Sequence, residues 1–446
     1  MSPGKKDPQK DTQKDCTVNG SIFSITCMRR VFFVYSRASY RVTYLSIETM
    51  AGGGYTPLHH AALNGDTRTV ETMLLTGGAL VRDTDQDRNT PLHLAVWKSH
   101  TDVAELLLDN GAPIHAVNQF GNTPLHLAAW TGHMGVMDLL LRNYPMIEAK
   151  NRDGNAPLQL AASKGNTGVV GLLLRKGAWI EATGSNGNTP LHFATRSGHA
   201  GTVKLLLAKG ASTHTTNQYN NTPLHLAAKN GHTGIAELLL SRGALIESRD
   251  TSNCTPLHEA AQWGHIDVVE LLLSKGALVE SRDTYNWTPL HVAAQGGHID
   301  IVELLLSKGA LAESQDTSNG TPLHVAAGGG YTGIVELLLS KGALVESQNT
   351  SNYTSLHFAA RRGYIDVVEL LLSKGALVDS QDTFNCTPLH KAVQGGHIDV
   401  VELLLSKGAL VESRDTSNCT PLHKAVLCTG GVYWYSGATF DPRRFN

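Results

Sequence analysis

The sequence predicts an all-α repeat fold, a solenoid of stacked helix pairs, and three observations carry that reading. A Thr-Pro-Leu-His motif, with small departures, begins at positions 56, 90, 123, 156, 189, 222, 255, 288, 321, 354, 387 and 420 of the 446-residue chain. One interval is 34 residues and ten are 33, so the unit has a fixed length. Each unit holds two short apolar-periodic runs that are marginal as isolated helices in water and must bury their faces against the units before and after. With 41% hydrophobic and 17% charged residues, the chain has enough apolar material for such a core and too little charge for a disordered polymer.

The copy spanning 255–287 shows how one unit is built. Thr255 is placed to cap a helix through its hydroxyl, and Pro256 suits the first helical position, where a missing N–H costs nothing. Leu257, Ala260 and Ala261 give this helix a narrow apolar face whose alanines admit a neighbour closely, and Gly264 supplies a left-handed stop after about two turns. The second helix carries Val268, Val269, Leu271, Leu272 and Leu273, with Asp267 and Glu270 near its start and Lys275 near its end, matching the helix dipole. Gly276 ends it. The remainder crosses to the next unit through a turn at Asn286, a position that holds Gly or Asn in eleven of the twelve copies. Both tolerate positive φ; Arg88 is the exception.

This pattern, Asn-x-Thr-Pro-Leu-His-x-Ala-Ala-x-x-Gly-His followed by Val-Glu-Leu-Leu-Leu-Ser-Lys-Gly-Ala, strongly resembles the ankyrin repeat over about 53–427. The resemblance implies a curved, right-handed-stacked solenoid of helix-turn-helix units with β-hairpin fingers projecting from one edge. Departures from the pattern stand out. The first copy carries its extra residue between Val70 and Gly78, the third replaces Gly-Ala with Tyr144-Pro145, and the fourth reads Ala156-Pro157-Leu158-Gln159, without capping hydroxyl or histidine. The junction at 143–160 is expected to be the weakest, and the twelfth copy runs into 429–446 with no second helix in its sequence.

Three segments follow: a basic N-terminal segment, 1–52, expected to be poorly ordered; the array, 53–428; and a non-repeat tail, 429–446, whose Val432, Tyr433, Trp434, Tyr435 and Phe440 are candidates to cover the last complete copy. Formal net charge is -2, with +4 in the first 52 residues and -6 in the rest, which excludes the chain-wide basic surface of a nucleic-acid binder. The stretch 22–47 is interrupted by Arg29, Arg30, Arg37 and Arg41, so no membrane span is expected, and no early apolar run marks a secretory signal. Six cysteines, Cys16, Cys27, Cys254, Cys386, Cys419 and Cys428, are too scattered for a disulfide framework. A cytoplasmic location is expected, with a nuclear or membrane-peripheral one left open. The N-x-[ST] sequons at Asn220, Asn253, Asn286, Asn319, Asn352, Asn385 and Asn418 arise from turn and cap chemistry rather than from secretion.

Twenty-one histidines invite a metal or catalytic reading. Eleven occupy the fourth motif position, and equivalent atoms in stacked units lie roughly 8–10 Å apart, whereas zinc ligands each sit about 2 Å from one ion. Bonds from these histidines to adjacent loops and Thr hydroxyls are the expectation. Gly328-Gly329-Gly330-Tyr331-Thr332-Gly333 matches a dinucleotide fingerprint, but the repeat frame puts a helix before it where that fingerprint needs a strand. Asp83, Asp85 and Asp87 imitate a calcium loop with Arg88 at the required glycine. No catalytic residue, metal ligand or cofactor site is assigned, and an enzyme is not expected.

Binding is expected where copies differ within the constant frame. At the hairpin tips these positions are Phe120, Tyr219, Tyr285, Trp287, Tyr353 and Phe384. Near the ends of first helices they are Trp97, Trp130, Trp263, Arg361 and Arg362. The resemblance implies that these surfaces line a concave groove, and aromatic residues and Arg are enriched in interface hot spots. The expected function is a monomeric, non-catalytic scaffold or adaptor for a protein partner, with Trp263 and Trp287 as paired anchors. A membrane-associated or regulatory adaptor using the basic segment 1–52 is the alternative. Lys275, Lys308, Lys341, Lys374 and Lys407 recur at one position and would form a basic ridge, but solvated cations at helix C-termini are the favoured reading.

Overall fold

The computed structural model describes residues 54–77 and 80–428; the segment 1–52 and the tail with Val432, Tyr433, Trp434, Tyr435 and Phe440 lie outside the described residues. Among the described residues there are 23 α-helices, a short 3-10 turn at Ser185–Gly187 and no β-strand. Twelve first helices, such as Pro256–Trp263 and Pro289–Gly296, alternate with second helices such as Ile266–Ser274 and Ile299–Ser307. Gly264 ends the first helix at φ 79° and Gly276 follows the second at φ 91°, both in the left-handed region that favours glycine.

Leu257, Ala260, Ala261, Val268, Val269 and Leu272 are fully buried and continue into their equivalents in adjacent units, forming one core that runs the length of the array. Alanines between first helices let that layer pack more closely than the leucine-rich second-helix layer. Leu271 and Leu273 lie at the margin of this core.

The cap departs from expectation in repeat 7. The Thr255 hydroxyl turns to His258 Nδ1 at 2.9 Å, and the backbone N–H of Thr255 donates to the same nitrogen at 3.2 Å. A buried imidazole nitrogen without its proton needs a donor, and the hydroxyl supplies one. In repeats 1, 3, 5 and 12 the hydroxyl also accepts a long bond, 3.4–3.5 Å, from the histidine N–H, closing a reciprocal box.

The fingers are turns rather than assigned strands. Asp283 N–H donates to Trp287 O at 3.0 Å and Asn286 N–H to Asp283 O at 3.1 Å, and the arms end before a ladder can continue. Asn286 sits at φ 59°, and Arg88, the one departure in composition, adopts φ 61° at the equivalent point. Adjacent fingers are joined through backbone bonds such as Thr284 N–H to Ser252 O, 3.0 Å.

The irregular copies are accommodated locally. The second helix of repeat 1, Thr67–Leu75, has the same nine residues as its counterparts, so the extra residue falls in the following loop. Tyr144 takes the left-handed position of the missing glycine at φ 55° and is 90% exposed. In repeat 4, Gln159 Oε1 accepts the Ala156 N–H at 3.1 Å, replacing the histidine cap, while its Nε2 donates to Ala182 O at 2.6 Å. The next finger changes with it: Ser185 N–H bonds to Asn155 Oδ1 at 2.8 Å, and any Cβ at Gly184 would overlap that oxygen.

Candidate functional site

The motif histidines belong to the frame. His258 Nε2–H donates to Trp287 O at 3.0 Å while Nδ1 accepts from Thr255, so both ring nitrogens are engaged and the Nε2–H tautomer is fixed. The same bond to the following unit recurs at His59, His93, His126, His192, His225, His291, His324, His357 and His390. Burial pushes His93, His126, His192, His258, His291 and His357 down to about 4, so they are neutral near pH 7. A second set, including His265 and His298, reaches back to Lys229 O and Gln262 O of the preceding unit. The glycines 328–330 close the helix Pro322–Gly329 and turn into Thr332–Ser340, as the repeat frame requires. Cys254, Cys386 and Cys419 are free thiols, and burial raises the pKa of Cys254 and Cys386, keeping them protonated.

The aromatic candidates divide by how much of each ring reaches solvent. Trp263, Tyr285 and Phe384 are exposed, at 38%, 47% and 45%. Trp97, Phe120, Trp130, Tyr219, Trp287 and Tyr353 are half-buried, and Arg361 and Arg362 are exposed at the end of Ser355–Arg362. Trp130 carries the Lys164 ammonium of the next unit 3.6 Å from its ring centroid. Trp287 packs against the core, tilts onto His291 and donates its indole N–H to Asp316 Oδ2 at 3.2 Å. It is therefore partly a structural residue, unlike the freely removable anchor expected beside Trp263. Tyr353 sits between His357 and Phe358 with Lys391 Nζ 4.8 Å from its ring.

Trp263 has a built surrounding. Its indole N–H donates to Glu259 Oε2 at 3.1 Å, and Lys229 of the preceding unit reaches the same oxygen at 3.4 Å and lies 5.2 Å from the ring. Glu259 is nearly buried, so the indole is held against a paired charge while its other face remains open. The adjoining fingers present Asp250, Asp283 and Asp316 at one repeat position. Burial pushes Asp250 and Asp283 upward; for Asp250 the neighbouring Glu259 adds to this, and for Asp283 the charges of Asp250 and Asp316 do.

Copy-by-copy comparison of the first helix would have exposed what tip aromatics alone did not. The position of Glu259 holds Leu, Val or Phe in most units but Lys391 and Lys424 in the last two. Lys391 pairs with Asp382 at 2.6 Å and Lys424 with Asp415 at 2.7 Å. Burial opposes the Lys391 charge, but Tyr353 and Asp382 outweigh it and raise its pKa. A second missed feature is the carboxylate at Glu247, Glu280, Glu313, Glu346 and Asp379, which grips the following loop: Glu247 accepts the Leu278 N–H at 2.9 Å and the Ser281 hydroxyl at 2.7 Å. No local sequence signal announces a bond across 31 residues.

No helix among the described residues is long and apolar enough to cross a membrane. No curated protein sequence matches the chain significantly. A family model described as ankyrin repeats, three copies, matches residues 38–118, 110–184, 180–250, 202–283, 247–316, 310–382 and 356–433. The first match begins inside the segment that the Thr-Pro-Leu-His frame leaves outside the array. Together with helix pairs stacked in a 33-residue frame, those matches make this chain a member of the ankyrin-repeat family.

Proposed function

We propose that the chain is a non-catalytic protein-interaction scaffold whose partner segment lies along the first helices and fingers of repeats 6–9. Ankyrin repeats are in general protein-interaction modules. The observation that carries the reading is Trp263, braced by Glu259 and Lys229 yet open on one side, with exposed Tyr285 in the finger of the same repeat. A rigid aromatic already held in one rotamer loses little entropy on binding. Asp250 and Asp283 join no ion pair among the described residues, so a basic partner segment, rich in Arg, complements this stretch best. Phe120, Tyr219, Phe384, Arg361 and Arg362 extend the surface on either side. The scaffold is proposed to act as a monomer in the cytoplasm.

The test compares proteins retained by the intact chain and by the Trp263→Ala/Tyr285→Ala variant, followed by titration of a retained partner. A loss of about 2 kcal/mol or more in affinity, with thermal stability preserved, is expected. Unchanged affinity would place the binding surface elsewhere.

A further inference from the structure

The near-identical second helices of repeats 6–11 leave two parallel rows on the surface. Leu245, Leu278, Leu311, Leu344, Leu377 and Leu410 are each 59–63% exposed. Three residues before each stands an exposed cation, Arg242, Lys275, Lys308, Lys341, Lys374 or Lys407, at the C-terminus of the second helix. The leucine row does not extend into the earlier units, where Pro113, Met146, Trp179 and Ser212 occupy its position, whereas the cation row continues through exposed Lys209 and Lys176 before Asn143 ends it. The leucines are held outward by the fold. The Ala before each is buried, and each Leu N–H from Leu278 to Leu410 is pinned by the carboxylate of the preceding unit, so the side chain cannot turn back into the core.

An exposed apolar row of this length marks an interaction surface. Its uniformity restricts the partner. Six equal leucines and six equal charges at a spacing of roughly 8–10 Å cannot read an aperiodic peptide, because every register along the row offers the same contacts. They suit a partner that is uniform along its length. A second copy of the chain would bring six more cations of the same sign to the seam, whereas a plane of anionic headgroups complements each one and admits the leucines between acyl chains. The loop carboxylates of Glu247, Glu280, Glu313 and Glu346 are turned into the loops by their bonds to Leu N–H and Ser hydroxyl groups, while exposed Glu237, Glu270, Glu303, Glu336, Glu369 and Glu402 stand more than a helical turn back from the cations.

We propose that this leucine-and-cation edge docks repeats 6–11 on an anionic lipid surface. The surface is separate from the Trp263 cluster, so a docked array keeps its first-helix face free for a protein partner.

The test is sedimentation of the full chain with phosphatidylcholine vesicles, with and without phosphatidylserine. Binding is expected only with phosphatidylserine and should weaken as salt is raised. The combined Leu278→Asn/Leu311→Asn/Leu344→Asn variant should lose binding by about tenfold or more, and Lys275→Gln/Lys308→Gln/Lys341→Gln should reduce it and flatten its salt dependence. Both substitute exposed side chains, and circular dichroism checks that the fold is kept. Trp263→Ala/Tyr285→Ala should bind vesicles normally, which separates this edge from the protein-binding face. Equal binding to both vesicle types overturns the proposal. So does wild-type binding by the leucine variant, which would move vesicle affinity elsewhere, for example to residues 1–52. A concentration-dependent dimer that the leucine substitutions abolish would also overturn it and assign the edge to a second copy.

Discussion

Repeats 2–5 and repeats 6–11 build the same finger with different side chains. In the earlier set, Asn118, Asn151 and Asn217 accept turn N–H groups through Oδ1 and donate Nδ2 to Asn89, Asn122 and Asn188 of the finger before. In the later set the turn is held by a carboxylate at Asp250, Asp283, Asp316, Asp382 and Asp415, with Asn349 the one amide. A carboxylate closes the turn equally well but has no proton to pass to its neighbour. The second oxygen is then free for other work: it takes the Trp287 indole at Asp316 and the lysine ammonium at Asp382. An amide joins neighbouring fingers and leaves them neutral, while a carboxylate leaves them charged and open to a cation. One oxygen-for-nitrogen exchange thus separates a bracing stretch from a receptive one.

The harshest way to break the comparison is a charge in the shared core. Leu272→Asp, or Leu140→Asp in the earlier set, places an unpaired carboxylate at a fully buried site and should cost several kcal/mol. Because a solenoid transmits stability only between neighbours, each should split unfolding into two transitions with opposite halves surviving longer. Urea melts followed by region-resolved hydrogen exchange check this, and a single unshifted transition would contradict it.

Acid provides the next largest effect. A histidine held near 4 instead of its ordinary 6.5 binds fewer protons folded than unfolded, so its contribution is complete above about pH 6.5 and is lost as pH falls toward 4. Both sets contain such histidines and both should weaken. Asp250 and Asp283, raised above 3.8, act in the opposite sense, because the folded state takes up their protons first and gains relative stability as pH falls. Below about pH 5, hydrogen exchange corrected for its intrinsic pH dependence should show repeats 2–5 weakening more than repeats 6 and 7.

Two smaller effects sharpen the contrast. Trp287→Ala should lower stability by about 2 kcal/mol through lost packing and an indole bond, while Trp263→Ala should cost under about 1 kcal/mol; paired denaturant melts decide. Asp283→Asn should change stability by no more than about 0.5 kcal/mol, since the amide oxygen still closes the turn. Its signature is a weaker, less salt-sensitive affinity for a basic partner segment, read by titration at two ionic strengths.

Much of the scaffold was legible because each unit repeats its own grammar. Proline after the capping threonine, glycine after each helix and asparagine at the turn all report local backbone demands, and the helices start and stop where those residues say. Arg88 shows the limit: the turn is imposed by its neighbours even where the residue type argues against it. The half-burial of Trp287 and the carboxylate grip of Glu247 depend on distances between units, which no single unit encodes. The Thr255 hydroxyl donates to His258 instead of only accepting a helix N–H, because a buried unprotonated imidazole nitrogen demands a donor. The candidate surface was therefore legible as a set of positions, while the division of labour among its aromatics was not.

The forward reach of the motif histidines bears on how the chain is made. In ten units the first helix is sealed by a carbonyl 29 or 30 residues further along the chain, His258 by Trp287 for instance. At a synthesis rate of about 5–20 residues per second, that acceptor arrives roughly 1.5 to 6 seconds later. Until then the imidazole N–H must remain hydrated. On the ribosome the array therefore matures one unit behind elongation, and a pause between two copies leaves only the newest one unsealed.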